Sequence, residues 1–175
     1  MKMIHMTCPG HPDATLEGYL LDCEIAFGQN TNRPAVIVCP GGGYVYCSPR
    51  EGEPIALRYA SKGFHAFVLR YSVGFEAKDF APWKQVDWAI ALLREHAEEW
   101  HINPNQIVTC GFSAGGHVAF AAGLMGENKP NAMATEGNAA HISLLGFIIG
   151  NASVVVFTIL CGSRSGFVSK VLSGY

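Results

Sequence analysis

The sequence has few charged residues and no excess of either sign. Lysine and arginine number 12 and aspartate and glutamate 14, which gives a net charge of −2 at pH 7 and a charged fraction of 15%. A nucleic-acid-binding domain needs a basic face, so this composition excludes nucleic acid as a partner. Residues 1–10 also lack the apolar core of a signal peptide, which predicts a cytoplasmic protein.

Cysteine spacings typical of metal sites and disulfide frameworks are also missing. The six cysteines are scattered without a C-x-x-C pair: Cys8, Cys23, Cys39, Cys47, Cys110 and Cys161. We therefore predict reduced, mostly buried thiols rather than a zinc site or a set of disulfides. No metal and no cofactor is expected.

Alternating strand and helix patterns are present over most of the chain. The 175 residues, 49% of them apolar, suffice for one domain with a core. Residues 15–27 are predicted as an early antiparallel strand or hairpin arm, and further strands at 35–39, 65–71, 106–110 and from about residue 132. Helices are predicted at 51–62, 81–100 and 117–125. The alternation of these later strands with helices indicates a parallel α/β sheet with right-handed crossovers.

The motif Gly111-Phe112-Ser113-Ala114-Gly115 has the form G-x-S-x-G between a predicted strand and a predicted helix. In this context it indicates a nucleophile elbow, a sharp turn that exposes a reactive serine. Such a turn leaves no room for side chains at Gly111 and Gly115. The alternative is an ordinary Gly-Ser turn without catalytic meaning.

A second glycine-rich segment, Pro40-Gly41-Gly42-Gly43-Tyr44, follows the strand predicted at 35–39. A phosphate-binding loop would need G-x-G-x-x-G or a Walker lysine, and neither is present. Two interpretations remain. The segment is an oxyanion loop, whose backbone amides stabilise a developing negative charge, or it is a plain flexible turn. The serine motif downstream favours the oxyanion loop.

Four motifs in order carry a family resemblance: residues 39–44, 50–54, 71–73 and 111–117. With them the chain resembles the bacterial α/β-hydrolase esterases, in particular the acetyl esterase or acetylxylan-esterase-like branch, over about residues 15–133. The resemblance implies an α/β-hydrolase-type, mostly parallel sheet with helices on both faces. It implies Ser113 as nucleophile and the amides of Gly42, Gly43 and Ala114 as oxyanion hole. The implied reaction is hydrolysis of short acyl esters, plausibly acetyl on a sugar, through an acyl-enzyme.

The acid and base of the serine site are not evident in the sequence. In this fold they follow the serine in the order Asp or Glu, then His. No aspartate occurs after Ser113, and the only later histidines are His117 and His141. Glu136 and His141 have the right order and are weak triad candidates, although an incidental polar loop explains them better. His117 is a still further candidate for the base.

Composition changes near residue 133. Residues 134–175 contain only three charged side chains, and the 20 residues 142–161 contain none. We therefore divide the chain into residues 1–133, the N-terminal portion of a hydrolase domain truncated after the elbow helix, and a divergent apolar tail, 134–175. The tail is a frame change or truncation, two buried strands at 142–149 and 154–160, or a membrane-spanning segment.

Three functions follow from these observations. The first is a serine carboxylesterase acting on a small-molecule ester, impaired by the missing acid and base. The second is an inactive hydrolase-like fragment that acts only in binding or in self-association through an open sheet edge. The third is a serine peptidase similar to prolyl oligopeptidase, which shares the serine motif but whose usual propeller domain is absent. A membrane location is not expected.

Overall fold

The computed structural model describes residues 1–25, 29–125, 142–150 and 153–161. Seven strands form one sheet in the order β1-β2-β6-β5-β7-β9-β8, and β3 and β4 form a small separate hairpin. The strands are β1 (Lys2–Cys8), β2 (His11–Leu20), β3 (Glu24–Ile25), β4 (Gln29–Asn30), β5 (Arg33–Cys39), β6 (His65–Arg70), β7 (Ile102–Phe112), β8 (Ile142–Gly150) and β9 (Ser153–Cys161). The helices are α1 (Glu53–Ala60), α2 (Ala81–Glu95) and α3 (Ala114–Met125), with 3₁₀ turns at Pro49–Glu51 and Gly74–Phe80.

The sheet is mixed rather than mostly parallel. Only the three central strands, β6, β5 and β7, run parallel, and the pairs β1–β2, β2–β6, β7–β9 and β8–β9 are antiparallel. For β1–β2 and β8–β9 the reason is connection length, because only two residues separate the strands of each pair and so short a connection permits only antiparallel neighbours. The parallel strands are joined through α1 and α2, as the alternating pattern predicts.

Helices cover both faces of the central strands, as predicted. Val36 and Val38 of β5 pack with Ala56 and Tyr59 of α1 in one apolar cluster. The alternate β5 positions lie in a second cluster with α2 and α3, whose members include Ile37, Cys39, Val86, Ile90 and Val118. Residues 35–39 are completely buried, which explains why this strand reads as a continuous apolar run rather than as an alternation.

Several element boundaries differ from the predictions. The long helix ends at Glu95 instead of residue 100, because the chain leaves helical geometry at His96. Strand β7 begins at Ile102, where we predicted a break at Asn103-Pro104-Asn105, because Ile102 already pairs with Arg33 before a register shift. The strand β1 was not predicted at all. Its burial alternates weakly at the sheet edge, so the sequence carries little periodic signal there.

After α3 the sheet continues with a hairpin. Strand β9 pairs antiparallel with β7, and β8 pairs with β9. Of the three alternatives for the tail, the structure contains the two strands. Their bounds, Ile142–Gly150 and Ser153–Cys161, are close to the predicted 142–149 and 154–160. The outer edge of β7, which we expected to be open, is paired with β9, so that β1 and β8 are the terminal strands in the part described. The strand predicted from about residue 132 lies outside the described residues.

Candidate active site

Ser113 occupies a one-residue turn between β7 and α3. Its φ of +49° lies in the left-handed region, which side chains other than glycine rarely adopt, and the residue is exposed. Strand β7 ends at Phe112 and α3 begins at Ala114, so no other residue separates the two elements. The fold therefore holds Ser113 in a strained conformation with its side chain accessible, a combination that is typical of functional positions.

Steric contacts explain the glycines on either side of this serine. A Cβ atom at Gly111 would stand 2.1 Å from the carbonyl oxygen of Gly115. A Cβ atom at Gly115 would stand 2.0 Å from the carbonyl oxygen of Cys39. Backbone cannot yield as a flexible side chain does, so both positions exclude any side chain, as the sequence predicts.

The segment after β5 approaches the same turn. A Cβ atom at Gly41 would lie 2.7 Å from the carbonyl oxygen of Phe112, which places this loop directly against the Ser113 turn. Gly42 (φ +133°) and Gly43 (φ +63°) have conformations that favour glycine. Neither of their N–H groups has a hydrogen-bond partner in the parts of the chain that are described. Two donors are thus available beside Ser113.

Two side chains, the half-buried Glu51 and the buried Tyr71, hold this glycine loop in place through hydrogen bonds. The N–H of Gly41 donates to Glu51 Oε2 at 2.9 Å, and the Tyr71 hydroxyl donates to the carbonyl oxygen of Pro40 at 2.6 Å. Tyr71 is only 2% exposed, and burial raises the pKa of its phenol, so it remains a proton donor. Glu51 and Tyr71 thereby hold the loop from two sides, while the N–H groups of Gly42 and Gly43 have no partner among the described residues.

Both residues that hold the glycine loop belong to motifs that are evident in the sequence, but the sequence alone predicts no role for them. Glu51 and Tyr71 stand in two of the four family-like motifs, 50–54 and 71–73. A further pair supports the second motif: the N–H of Ser72 donates to Gln85 Oε1 at 2.8 Å, and both side chains are buried. Glu51 and Tyr71 are thus side-chain partners of the glycine-loop backbone, and Ser72 is a backbone partner of Gln85.

An aromatic group lies at the start of α3. The Tyr44 hydroxyl and His117 Nδ1 are 3.0 Å apart, and the backbone N–H of His117 donates to the carbonyl oxygen of Ser113 at 3.1 Å. The Trp83 ring meets the His117 ring edge-on at a centroid distance of 5.3 Å. Phe80, which is 63% exposed, packs on Trp83 at 4.7 Å.

Five of the cysteines are free thiols. Cys8, Cys23, Cys39 and Cys110 are buried and Cys47 is half-buried. Complete burial raises the pKa of the Cys39 thiol and raises that of Cys110 to about 12, so both stay protonated and act as small apolar side chains. No group of three or more potential metal ligands occurs within residues 1–25, 29–125, 142–150 and 153–161.

His65 lies at the other end of the parallel strands, where β6 begins. Its Nδ1 accepts the N–H of Leu21 at 3.0 Å, and its Nε2 lies 3.4 Å from Cys23 Sγ. Burial, together with the nearby Arg33 charge, lowers the pKa of His65 to about 4. This imidazole is a neutral structural group with both nitrogens in use, not a candidate base.

The structure brings some of the predicted site residues together and leaves others untested. Ser113, Ala114 and the glycine loop meet at the carboxyl ends of β5 and β7, where ligands bind in open α/β sheets. Glu136 and His141, the weak triad candidates, lie outside the described residues. None of the helices in the described ranges is long and apolar enough to cross a membrane.

Known structures resemble this arrangement. An α/β hydrolase enzyme from a Medee basin deep-sea metagenome library is 43% identical, with a TM-score of 0.70, over 75% of this chain and 54% of its own. An acetyl ester-xyloside bifunctional hydrolase from Caldicellulosiruptor lactoaceticus is 39% identical, with a TM-score of 0.58, over 67% of this chain and 41% of its own.

Two curated proteins match in sequence. An acetylxylan esterase from Xylanibacter ruminicola is 32% identical over 106 residues, which is 59% of this chain and 22% of that protein. An endo-1,4-beta-xylanase B from Butyrivibrio fibrisolvens is 34% identical over 93 residues, or 51% of this chain and 15% of that protein. The chain therefore spans less than a quarter of these curated relatives and about half of the structural ones.

A family model covers most of the chain. It matches residues 21–156, from the end of β2 into β9. Together with the structural neighbours, this match confirms the α/β-hydrolase-type fold and the esterase resemblance that the four motifs indicate. The chain belongs to the BD-FAE family and has the α/β-hydrolase fold.

Proposed function

We propose that this chain provides the nucleophile and the oxyanion hole of a carboxylic ester hydrolase, with Ser113 as the nucleophile. The observation that supports this most strongly is the strained, exposed conformation of Ser113, held between two glycines that admit no side chain. A serine hydroxyl is a weak nucleophile, and such a turn presents it where a base and an ester reach it together.

In the proposed reaction, the Ser113 oxygen attacks the acyl carbonyl carbon while its proton passes to a base. The carbonyl oxygen takes up the negative charge, and the amides of Gly42, Gly43 and Ala114 donate hydrogen bonds to it. The N-terminus of the 12-residue helix α3 adds a favourable dipole. The alcohol then leaves with a proton, and water hydrolyses the resulting acyl-serine to regenerate the hydroxyl and release the acid.

The fastening contacts support the oxyanion role of the glycine loop. Donors stabilise a transition state best when they are already in place and do not have to reorganise. Glu51 takes the N–H of Gly41 and Tyr71 takes the carbonyl of Pro40, so the loop is fixed by its flanking groups. The N–H groups of Gly42 and Gly43 are left for the substrate oxygen.

For the substrate we propose a short acyl ester, acetyl above all, on a carbohydrate. The names of two relatives support this class, since one is an acetylxylan esterase and the other an acetyl ester-xyloside hydrolase. Glu136 and His141 are only weak candidates for the acid and base, so we propose no residue of this chain as an effective base. Without a base, a serine site keeps only about 10³–10⁴-fold acceleration over water from its oxyanion hole and binding, so we expect weak turnover.

Hydrolysis of p-nitrophenyl acetate by the full chain tests this proposal. We expect turnover above that of Ser113→Ala, with Ser61→Ala as the matched control because Ser61 is exposed at the end of α1. Equal rates for the wild type and Ser113→Ala would favour the hydrolase-like fragment that only binds. Cleavage of a peptide amide in preference to the ester would favour the peptidase alternative.

A further inference from the structure

Three side chains beside Ser113, here called the relay, meet at the His117 ring and take no part in the proposed reaction. Tyr44 belongs to the glycine loop, Trp83 to α2 and His117 to the first turn of α3. The Tyr44 hydroxyl lies 3.0 Å from His117 Nδ1. The Trp83 ring packs edge-on against the His117 ring at a centroid distance of 5.3 Å.

The tautomer of His117 follows from the direction of its bond to Tyr44. Burial raises the pKa of the Tyr44 phenol, so its hydroxyl keeps its proton at neutral pH and is available as a donor. When this hydroxyl donates to His117, Nδ1 is the acceptor. A neutral imidazole that accepts at Nδ1 carries its proton at Nε2.

His117 lies in the first turn of α3, directly after the reacting serine. Its backbone N–H donates to the carbonyl oxygen of Ser113, which holds this helical turn against the Ser113 turn. His117 is exposed, and its Nε2 has no hydrogen-bond partner within the described part of the chain.

We propose that Trp83 and Tyr44 hold His117 as an Nε2–H donor that binds an oxygen atom of the ester at the rim of the Ser113 site. This rests on the proposed function of Ser113. Tyr44 and Trp83 are positioning residues, and His117 contacts the substrate. In this tautomer Nε2 has no free lone pair, so the relay excludes His117 as the base that takes the Ser113 proton.

Nitrogen-15 NMR of the imidazole side chains tests the relay without any enzymatic activity. We expect His117 to be a single Nε2–H tautomer at neutral pH and to become a tautomer mixture in Tyr44→Phe. Adding excess phenyl acetate to a Ser113→Ala chain is expected to shift the His117 Nε2–H resonance. A protonated Nδ1 in the wild type, or no shift on adding the ester, would overturn the proposal.

Kinetics with p-nitrophenyl acetate test the role of His117 independently of the NMR experiments. His117→Phe removes the donor but keeps a ring against Trp83, and we expect kcat/KM to fall roughly three- to tenfold, the effect of one hydrogen bond. His117→Gln retains an N–H donor and should stay within about twofold of the wild type. His96→Phe, at the end of α2, serves as the control and should change nothing.

The two proposals fail in different ways. Loss of all Ser113-dependent turnover in both His117→Phe and His117→Gln would show that His117 is the base, against the relay. Absence of Ser113-dependent turnover in the wild type would contradict the proposed function, while the NMR experiments would still decide whether His117 donates to an ester.

Discussion

The two ends of the parallel strands differ in the polar groups that they hold. At the carboxyl ends of β5 and β7, Ser113 is exposed at φ +49° and the Gly42 and Gly43 amides are unpaired in the described structure. At the amino end of β6, His65 is buried with both ring nitrogens in contact with polar partners. The carboxyl end, where chemistry is proposed, therefore presents an accessible hydroxyl and free donors, whereas His65 at the amino end is an inaccessible structural group.

The largest expected effect comes from filling the space at Gly115. In Gly115→Ala the new Cβ would stand 2.0 Å from the carbonyl oxygen of Cys39, so β5 and α3 must separate. We expect the free energy of unfolding to fall by about 3 kcal/mol or more, at the upper end for single substitutions. Urea unfolding followed by circular dichroism measures this loss.

Gly10→Ala is the matched control for that variant. Gly10 also has a positive φ, +77°, but a Cβ there meets no atom within 4 Å. Only the backbone preference is lost, which costs about 1 kcal/mol. Equal destabilisation by the two variants would contradict the steric explanation of the Ser113 turn.

The next largest effect concerns the fastening of the glycine loop. Tyr71→Phe removes the hydroxyl that bonds the Pro40 carbonyl and leaves this buried acceptor without a partner. We expect a loss of about 1–3 kcal/mol in stability and a lower kcat for p-nitrophenyl acetate, because the loop amides are less well placed. Tyr46→Phe, at an exposed tyrosine nearby, should alter neither quantity. A stable Tyr71→Phe with wild-type kcat would refute the fastening role.

The comparison of the two ends also predicts how stability depends on pH. The unfolded chain protonates His65 near its ordinary pKa of 6.5, whereas the folded chain does so only near 4. Between these values the unfolded state binds more protons, so the free energy of unfolding falls as pH falls from about 6.5 to about 4. His65→Gln is expected to reduce this slope, and His5→Gln, at an exposed residue of β1, is not. Identical slopes in denaturant titrations of the wild type and His65→Gln would contradict the assignment.

The smallest expected effect has the opposite sign. Ser113→Gly places glycine at a positive φ, which glycine adopts without strain. We therefore expect the free energy of unfolding to rise by about 1 kcal/mol. The same change removes the proposed nucleophile, and ester turnover should fall to that of Ser113→Ala. A thermal melt compares the variants, and a Ser113→Gly chain less stable than Ser113→Ala would argue against strain at this turn.

The sequence predicts the central part of this fold well. Buried strands such as β5 give continuous apolar runs, and helices such as α2 give an apolar stripe, so both are evident without a structure. The edge strand β1 is largely exposed on both sides, and its pattern is correspondingly weak. The mixed strand order cannot be predicted from the sequence, because strands that pair but lie far apart in the chain leave no local periodicity.

The candidate site is predictable where it depends on backbone geometry. Gly111 and Gly115 identify the turn because steric exclusion leaves only glycine there. The roles of Glu51 and Tyr71 depend instead on contacts with a loop 10 and 31 residues away, which no local pattern encodes. The contacts of Tyr44 and Trp83 with His117 are likewise assembled from three separate segments by the fold.

The central claim is that Ser113 is an accessible nucleophile beside an oxyanion hole. An organophosphate probe reacts covalently with such a serine, and the intact mass of the full chain records the adduct. We predict one adduct per chain, located at Ser113 by peptide mapping and absent from Ser113→Ala. No adduct on the wild type, or an undiminished adduct on Ser113→Ala, would contradict the account.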